Sequence, residues 1–304
     1  RAVQRGCLQA IESTTLAIIE VSGASASILR DGERVLLVDG KDRRYLITLT
    51  AGRQFHTHSG ILDHDSIIGA VEGSKIPGST GRAFLVLRPT LTDVVLKMPR
   101  GAQVIYPKDL GAILIAADLA PGQRVLEAGV GSGALSIAAL RAGVSIIGYE
   151  IREDFAEVAK TNVYAMLGPD VPYDVKVRDV TEGIDERDLD RILLDMPEPD
   201  KVVPHAAVAL RPGGIFMAYL PTINQTALVR EALDAYGFGM AETVEILRRT
   251  WHIEGRSIRP DHRMVAHTGF LTFARRLVVE EGREVQFGQH ALFSREPESP
   301  DLEG

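Results

Sequence analysis

Two stretches of the chain hold residue types whose order could do chemistry. EAGVGSGALS (127–136) sets Gly129, Gly131 and Gly133 at alternate positions between an apolar run and a helix-forming one. Glycines at such a turn let the main chain double back and let a ligand touch it, while the helix start offers free N–H groups. RILLDMPEPDK (191–201) ends an apolar run with Asp195, and Pro197 and Pro199 then forbid ordinary continuation. A carboxylate placed there can terminate a strand, cap a helix or face a ligand.

The glycine turn alone is ambiguous. Gly129-x-Gly131-x-x-Ala134 satisfies a dinucleotide fingerprint, with Glu150 near the place of a ribose-binding acid. Glu127, inside the apolar run before the first glycine, tilts the choice, because a pyrophosphate gains nothing from another negative charge and a cationic ligand does. S-adenosyl-L-methionine brings a sulfonium and an ammonium, whereas NAD brings phosphates that want helix N–H groups. On that reading Glu150, closing a second strand, grips the ribose hydroxyls. Asp179, closing a third, stands beside the adenine, whose exocyclic amine needs an acceptor. Taken singly, Glu150, Asp179 and Asp195 each fit a helix N-cap as well. Together with Glu127 and the turn they favour the cofactor.

Such residues need a scaffold that brings several strand ends together. Strand-like and helical runs alternate: RVLEAG (124–129) with ALSIAALRAG, SIIGYE (145–150) with DFAEVAKTNVYAML, and YDVKVRD (173–179) with a short acidic connection. RILLD (191–195) with HAAVALRPGG and IFMAYLP (215–221) with TALVREALDAYGFG follow. These units predict a parallel sheet covered on both faces, with ligands at the carboxyl ends of its strands. TVEILRRTWHIEG and HTGFLTFARRL predict two further strands. Upstream, RVLLVD, RRYLITLT, FHTHSGILDHDSIIG and RAFLVLRPT predict a small β-rich domain. The expected organisation is an unassigned segment 1–28, a β-rich domain 29–98, an α/β domain 99–277 and a tail 278–304, whose VQFGQHALF a partner could order.

Composition agrees with this division. A chain of 304 residues, 45% hydrophobic and 25% charged, suits two globular domains. Its apolar runs fall short of the ~20 residues of a membrane span, and no secretory h-region opens it, so no membrane partner and a cytoplasmic location are expected. Cys7 stands alone, which excludes an intrachain disulfide or a cysteine zinc site. His56, His58 and His64 lack companions at ligand spacing and read as ordinary histidines, so no metal is expected. The net charge of −7 argues against a bulk nucleic-acid coat. Local patches remain in KDRR (41–44), in Arg82, Arg88 and Arg100, and in Arg248, Arg249, Arg256, Arg259 and Arg263; each alone reads as a solvated face.

MPRGAQVIYPKD (98–109), EAGVGSGAL, YEIREDFAEVAKTNV, LLDMPEP and RPDHRMVAHTGFLTFARRL, in that order, resemble the class I S-adenosylmethionine-dependent methyltransferases. Among these the chain is similar to the TrmI family of tRNA methyltransferases, which act on N1 of adenine 58 in the T loop. The resemblance covers about residues 29–277. It implies a Rossmann-like sheet with a small N-terminal β-rich domain, tRNA as partner, and a homotetramer. It also implies Ser132, Gly133, Ala134 and Leu135 as the loop around the methionine end of the cofactor, Glu150 as the ribose ligand, Phe155 as a lining residue and Asp179 as the adenine neighbour. Tyr106 matches an aromatic at the active-site mouth, and Asp195 the catalytic aspartate. The chain departs from the family at Asp200, where many relatives have Trp. Adenine N1 is a weak neutral nucleophile, so a carboxylate bonded to the N6 amine would orient it and stabilise the cation that methylation creates. Other readings are methylation of a protein or small molecule, a nicotinamide-dependent oxidoreductase resting on the formal glycine match, and a non-catalytic RNA-binding subunit, against which EAGVGSG and Asp195 speak.

Overall fold

The structure, a computed structural model, describes residues 27–101 and 103–278. Residues 1–26, with Cys7, and residues 279–304, with VQFGQHALF, lie outside the described residues. The chain divides into two compact units between Asp93 and Val94.

The first unit is built from short strands: β1 (Arg34–Val38), β2 (Arg44–Thr48), β3 (Gln54–Thr57), β4 (Gly60–Asp63), β5 (Lys75–Pro77) and β6 (Ala83–Leu87). They form an antiparallel sheet in the order β2-β1-β6-β5 and a separate β3-β4 hairpin. Alternation along the strands sends Val35, Leu37, Phe84 and Val86 into a core with Leu29, Leu49, Leu62 and Ile67. His64 is buried and its Nδ1 accepts the Thr50 N–H at 2.9 Å, which makes it a fold residue.

Helix α1 (Leu91–Lys97) leads to the second unit, where α2 (Pro107–Ala116), β7 (Arg124–Ala128), α3 (Ala134–Arg141), β8 (Ser145–Glu150), α4 (Glu153–Leu167) and β9 (Tyr173–Val177) follow. Then come β10 (Leu189–Leu194), α5 (Val203–Ala209), β11 (Leu210–Leu220), α6 (Ile223–Ala235), β12 (Phe238–Glu245), β13 (Trp251–Glu254), β14 (Ser257–Pro260) and β15 (Phe270–Arg276). The main sheet runs β12-β15-β11-β10-β7-β8-β9 and is parallel except for β15. Because helices cover both faces, its central strands are largely apolar: Ile192, Leu193 and Leu194 have no exposed surface, and Glu127 and Arg191 are buried charged exceptions. The expected mixed α/β architecture with a β-rich N-terminal region is what the chain adopts.

Local differences have physical causes. Helix α5 stops at Ala209, and RPGG belongs to the start of β11, since Pro212 and two glycines cannot continue a helix. TVEILRRTWHIEG is not one strand. β12 ends at Glu245, and Trp251–Glu254 pairs instead with Ser257–Pro260 around Gly255, whose φ of 55° suits a tight hairpin turn. Helix α2 was hidden in YPKD, where Pro107 occupies the first helical turn and Asp109 follows near the positive end of the dipole.

Candidate active site

From β7 the chain passes outward through β8 and β9, then returns to the other side of β7 with β10. At such a reversal the connections leave in opposite directions and open a crevice at the carboxyl ends of the strands. A cavity of about 800 Å³ lies there. Gly129, Gly131, Glu150, Phe155, Asp179 and Asp195 line it together.

Each is held for a local reason. Gly129 and Gly131 follow β7 with φ of 79° and 51°. At Gly129 a Cβ would stand 2.0 Å from the Asp195 carbonyl oxygen, so only glycine fits against the end of β10. The Asp195 N–H in turn donates to the Ala128 carbonyl at 2.9 Å, which locks the two strand ends together. Glu150 closes β8, and its two oxygens accept the N–H groups of Gly131 and Arg152, both at 3.1 Å. Asp179 caps the short turn Val180–Glu182: Oδ1 accepts the Thr181 N–H at 2.8 Å and hydroxyl at 2.7 Å, which hold its pKa down. Asp179 therefore caps the turn while still lining the cavity. Phe155 lies in the first turns of α4 with the Arg152 guanidinium 3.8 Å over its ring.

The remaining predicted residues stand elsewhere. Glu127, Ser132, Ala134 and Leu135 are buried and do not themselves line the cavity. Gly133 caps α3 at a φ of 80°, and a Cβ there would press on the backbone of Ala159 in α4. The Ser132 carbonyl accepts the Asn162 amide at 3.0 Å. Tyr106, at the N-cap of α2, lines a separate cavity of about 280 Å³ with Lys108, Arg248 and Arg263.

Electrostatics set this crevice apart. Burial pushes Glu127 up to about 8, the neighbouring Asp195 and Glu150 charges add to it, and only the Ser136 hydrogen bonds oppose it. Asp195, half-buried, is pushed up to about 7 by burial and by Glu150. Glu127, Glu150 and Asp195 thus stand near one another, and none has an ion-pair partner among the described residues. The basic residues at the rim are paired with carboxylates of their own: Arg152 with Asp154, Arg178 with Asp185, Lys201 with Glu198. The Glu127 Oε2 and Ser132 Oγ atoms are buried and have no hydrogen-bond partner among the described residues. Such a site fits a ligand that brings positive charge and donors. It does not fit a pyrophosphate, for the Gly131 N–H is already taken by a carboxylate.

Sequence reasoning missed the opposite wall. Tyr219 at the end of β11, Thr268 before β15 and Gln225 of α6 line the cavity. Gln225 donates to the Pro197 carbonyl at 2.9 Å and so ties down the loop after Asp195. Asp200, the departure from the family pattern, lies in the helical turn Pro199–Val202.

A seven-stranded sheet with one antiparallel strand, and a carboxylate-lined crevice behind a glycine turn, define the class. The crystal structure of a SAM-dependent O-methyltransferase from Thermotoga maritima matches with a TM-score of 0.80 and 35% identity, covering 84% of this chain and 97% of that one. That of tRNA (m1A58) methyltransferase TrmI from Aquifex aeolicus matches with a TM-score of 0.74 and 30% identity, over 83% and 100%. The chain has the class I methyltransferase fold. The family described as tRNA methyltransferase complex GCD14 subunit matches residues 83–259, and the TrmI-like N-terminal family matches residues 28–76. The tRNA (adenine(57)-N(1)/adenine(58)-N(1))-methyltransferase TrmI of Methanocaldococcus jannaschii is 36% identical over 269 residues, 79% of this chain and 94% of that protein. The chain belongs to the GCD14/TrmI family of methyltransferases.

Proposed function

We propose that the chain transfers a methyl group from S-adenosyl-L-methionine to N1 of adenine 58 in the T loop of tRNA. The observation that carries this reading is Asp195, a half-buried carboxylate at the cavity wall with no cationic partner. Names of relatives support it: both TrmI proteins above are tRNA adenine-N1 methyltransferases.

The residues fit the cofactor. The orphaned Glu127 Oε2 and Ser132 Oγ suit the amino-acid end, Glu150 the ribose hydroxyls and Asp179 the adenine amine, with Phe155 beside them. When bound, S-adenosyl-L-methionine supplies an electrophilic methyl group, so no enzyme nucleophile or metal is required. Asp195 accepts a hydrogen bond from the N6 amine of the target adenine. That contact turns N1 toward the crevice and strengthens as the base becomes cationic, which is where it lowers the barrier. Pro197, Pro199 and the Gln225 bond keep the Asp195 loop from relaxing away. The Tyr219–Thr268 wall closes the base side, with Tyr106 in the adjoining smaller cavity. Exposing a buried tRNA base costs a few kcal/mol, which backbone contacts offset. We assign residues 29–98 to the β-rich domain and 99–277 to the methyltransferase domain, and we propose a homotetramer.

A second reading, methylation of a hydroxyl, draws support from the name of the Thermotoga maritima relative. It asks Asp195 to remove a proton, which adenine N1 does not carry. One experiment decides: incubate the protein with unmodified tRNA and labelled cofactor, digest, and map the product by mass spectrometry. Label on the base of adenine 58 is expected. Label on a ribose, or on no nucleotide, overturns the proposal.

A further inference from the structure

The motifs YPKD and HTGFL meet inside the second unit at a point that cofactor binding does not use. Lys108 Nζ donates to Asp109 Oδ1 at 2.7 Å, to the Ile246 carbonyl at 2.6 Å and to Thr268 Oγ1 at 2.6 Å. The Thr268 hydroxyl donates to Asp109 Oδ2 at 2.7 Å and closes a three-membered ring of hydrogen bonds. The Asp109 side chain is fully buried and that of Lys108 is 7% exposed. The Thr268 carbonyl then accepts the Tyr219 hydroxyl at 2.7 Å. Gly269 lies so close to that ring that a Cβ would stand 2.5 Å from Tyr219 Cζ. Lys108 lines the smaller cavity, and Thr268 and Tyr219 line the larger one with Asp195. The ring of bonds thus joins a residue lining one cavity to a residue lining the other.

A buried ion pair is a weak device for stability, since desolvation offsets most of its attraction and apolar replacements often fold as well. What it does supply is direction: all three ammonium protons of Lys108 are spent on fixed acceptors drawn from three separate segments. We propose that Lys108 and Asp109 are positioning residues, holding the Thr268–Tyr219 wall beside Asp195 and thereby setting where the acceptor base lies. This rests on the reading that an RNA base enters the larger cavity. The pair itself touches neither base nor cofactor and acts through Thr268 and Tyr219.

The test uses the full chain. Lys108→Met with Asp109→Leu replaces the pair by apolar groups, Thr268→Val removes the hydroxyl that links the pair to the wall, and Thr268→Ser restores it. Single-turnover methylation of unmodified tRNA should fall on the order of 10²-fold in the first two, as for a displaced reacting group. Affinity for S-adenosylhomocysteine by calorimetry should be unchanged, and Thr268→Ser should recover most of the rate. A merely structural role would lower the melting temperature and leave the rate of the folded protein alone. Placing 3-fluorotyrosine at position 219 reads the wall directly by 19F resonance, with one narrow line expected in the parent and a shifted or broadened one in Thr268→Val. If the parent does not methylate tRNA, the functional reading fails while the 19F comparison still decides the wall. A parent-like 19F line in Thr268→Val, or parental rates in both altered proteins, overturns the proposal.

Discussion

Glu127 is the residue where burial and charge conflict most. Its ordinary value is 4.5 and the folded protein raises it to about 8. Between those values the unfolded chain has released the proton and the folded chain still holds it, so stability falls as pH rises through that window, by at most about 1.4 kcal/mol per pH unit for one group. Thermal melts from pH 5 to 8 should show this decline, and Glu127→Gln should flatten it. Cofactor affinity should move the other way, rising with pH as the carboxylate that suits a cation forms. Calorimetry in buffers of different ionisation enthalpy would detect the released proton; no proton release would place the ligand's charge elsewhere. Asp195→Asn tests the neighbouring group. It should lower the single-turnover rate on the order of 10²–10³-fold with little change in tRNA affinity, because the contact it removes matters most in the transition state. A near-parental rate would leave Asp195 as a strand terminator.

At the scale of elements, the turn between β7 and α3 separates packing from ligand access. Gly129→Ala would drive a methyl into the Asp195 carbonyl, 2.0 Å away, and should unfold the protein or displace β10. Gly131→Ala meets nothing closer than 3.9 Å and carries only the left-handed penalty of roughly 1–2 kcal/mol. Denaturant titration should find the second protein folded, and calorimetry should find its cofactor affinity reduced, since its Cβ enters the lined cavity. Much of this turn was legible beforehand. SIIGYE and RILLD are apolar runs ended by acids and RVLEAG runs straight into the glycine turn, and strands buried on both faces read as such near-continuous apolar runs. What could not be read was pairing between distant segments: the insertion of β15 between β11 and β12, or the approach of Thr268 to Lys108. No local periodicity encodes those. Helix α2 escaped because Pro107 looks like a breaker until its place in the first turn is known. Asp179 was offered as cap or ligand, and the structure shows why sequence could not choose, since the cap uses one oxygen and the cavity faces the residue as well.

On the scale of the whole molecule, a chain of net charge −7 must concentrate its positive surface to hold a polyanion. Arg248, Arg249, Arg256, Arg259 and Arg263 flank or belong to the β13–β14 hairpin, and none is ion-paired among the described residues. If Arg256 and Arg259 meet phosphates, replacing both by Ala should reduce the slope of log affinity for tRNA against log salt by about 0.9 per contact. Light scattering on the same proteins should still report the proposed tetramer. An unchanged slope with a lost tetramer would assign the hairpin to subunit contacts instead.

The uncompensated carboxylates also impose an order on events. Burial and the Glu150 charge raise Asp195 to about 7, which favours a neutral acid in the free protein, and a neutral acid presents a proton to an exocyclic amine that itself offers one. Positive charge arriving in the crevice converts Asp195 to the acceptor form. On the proposed function, a bound methyl donor would thereby prepare Asp195 for the second substrate, and the coupling would be reciprocal by thermodynamic necessity. Methyl transfer would then move the charge that favours ionised Asp195 onto the base. Turnover becomes a relay in which one carboxylate registers where the positive charge resides, and product-inhibition patterns should reveal a preferred sequence, donor first.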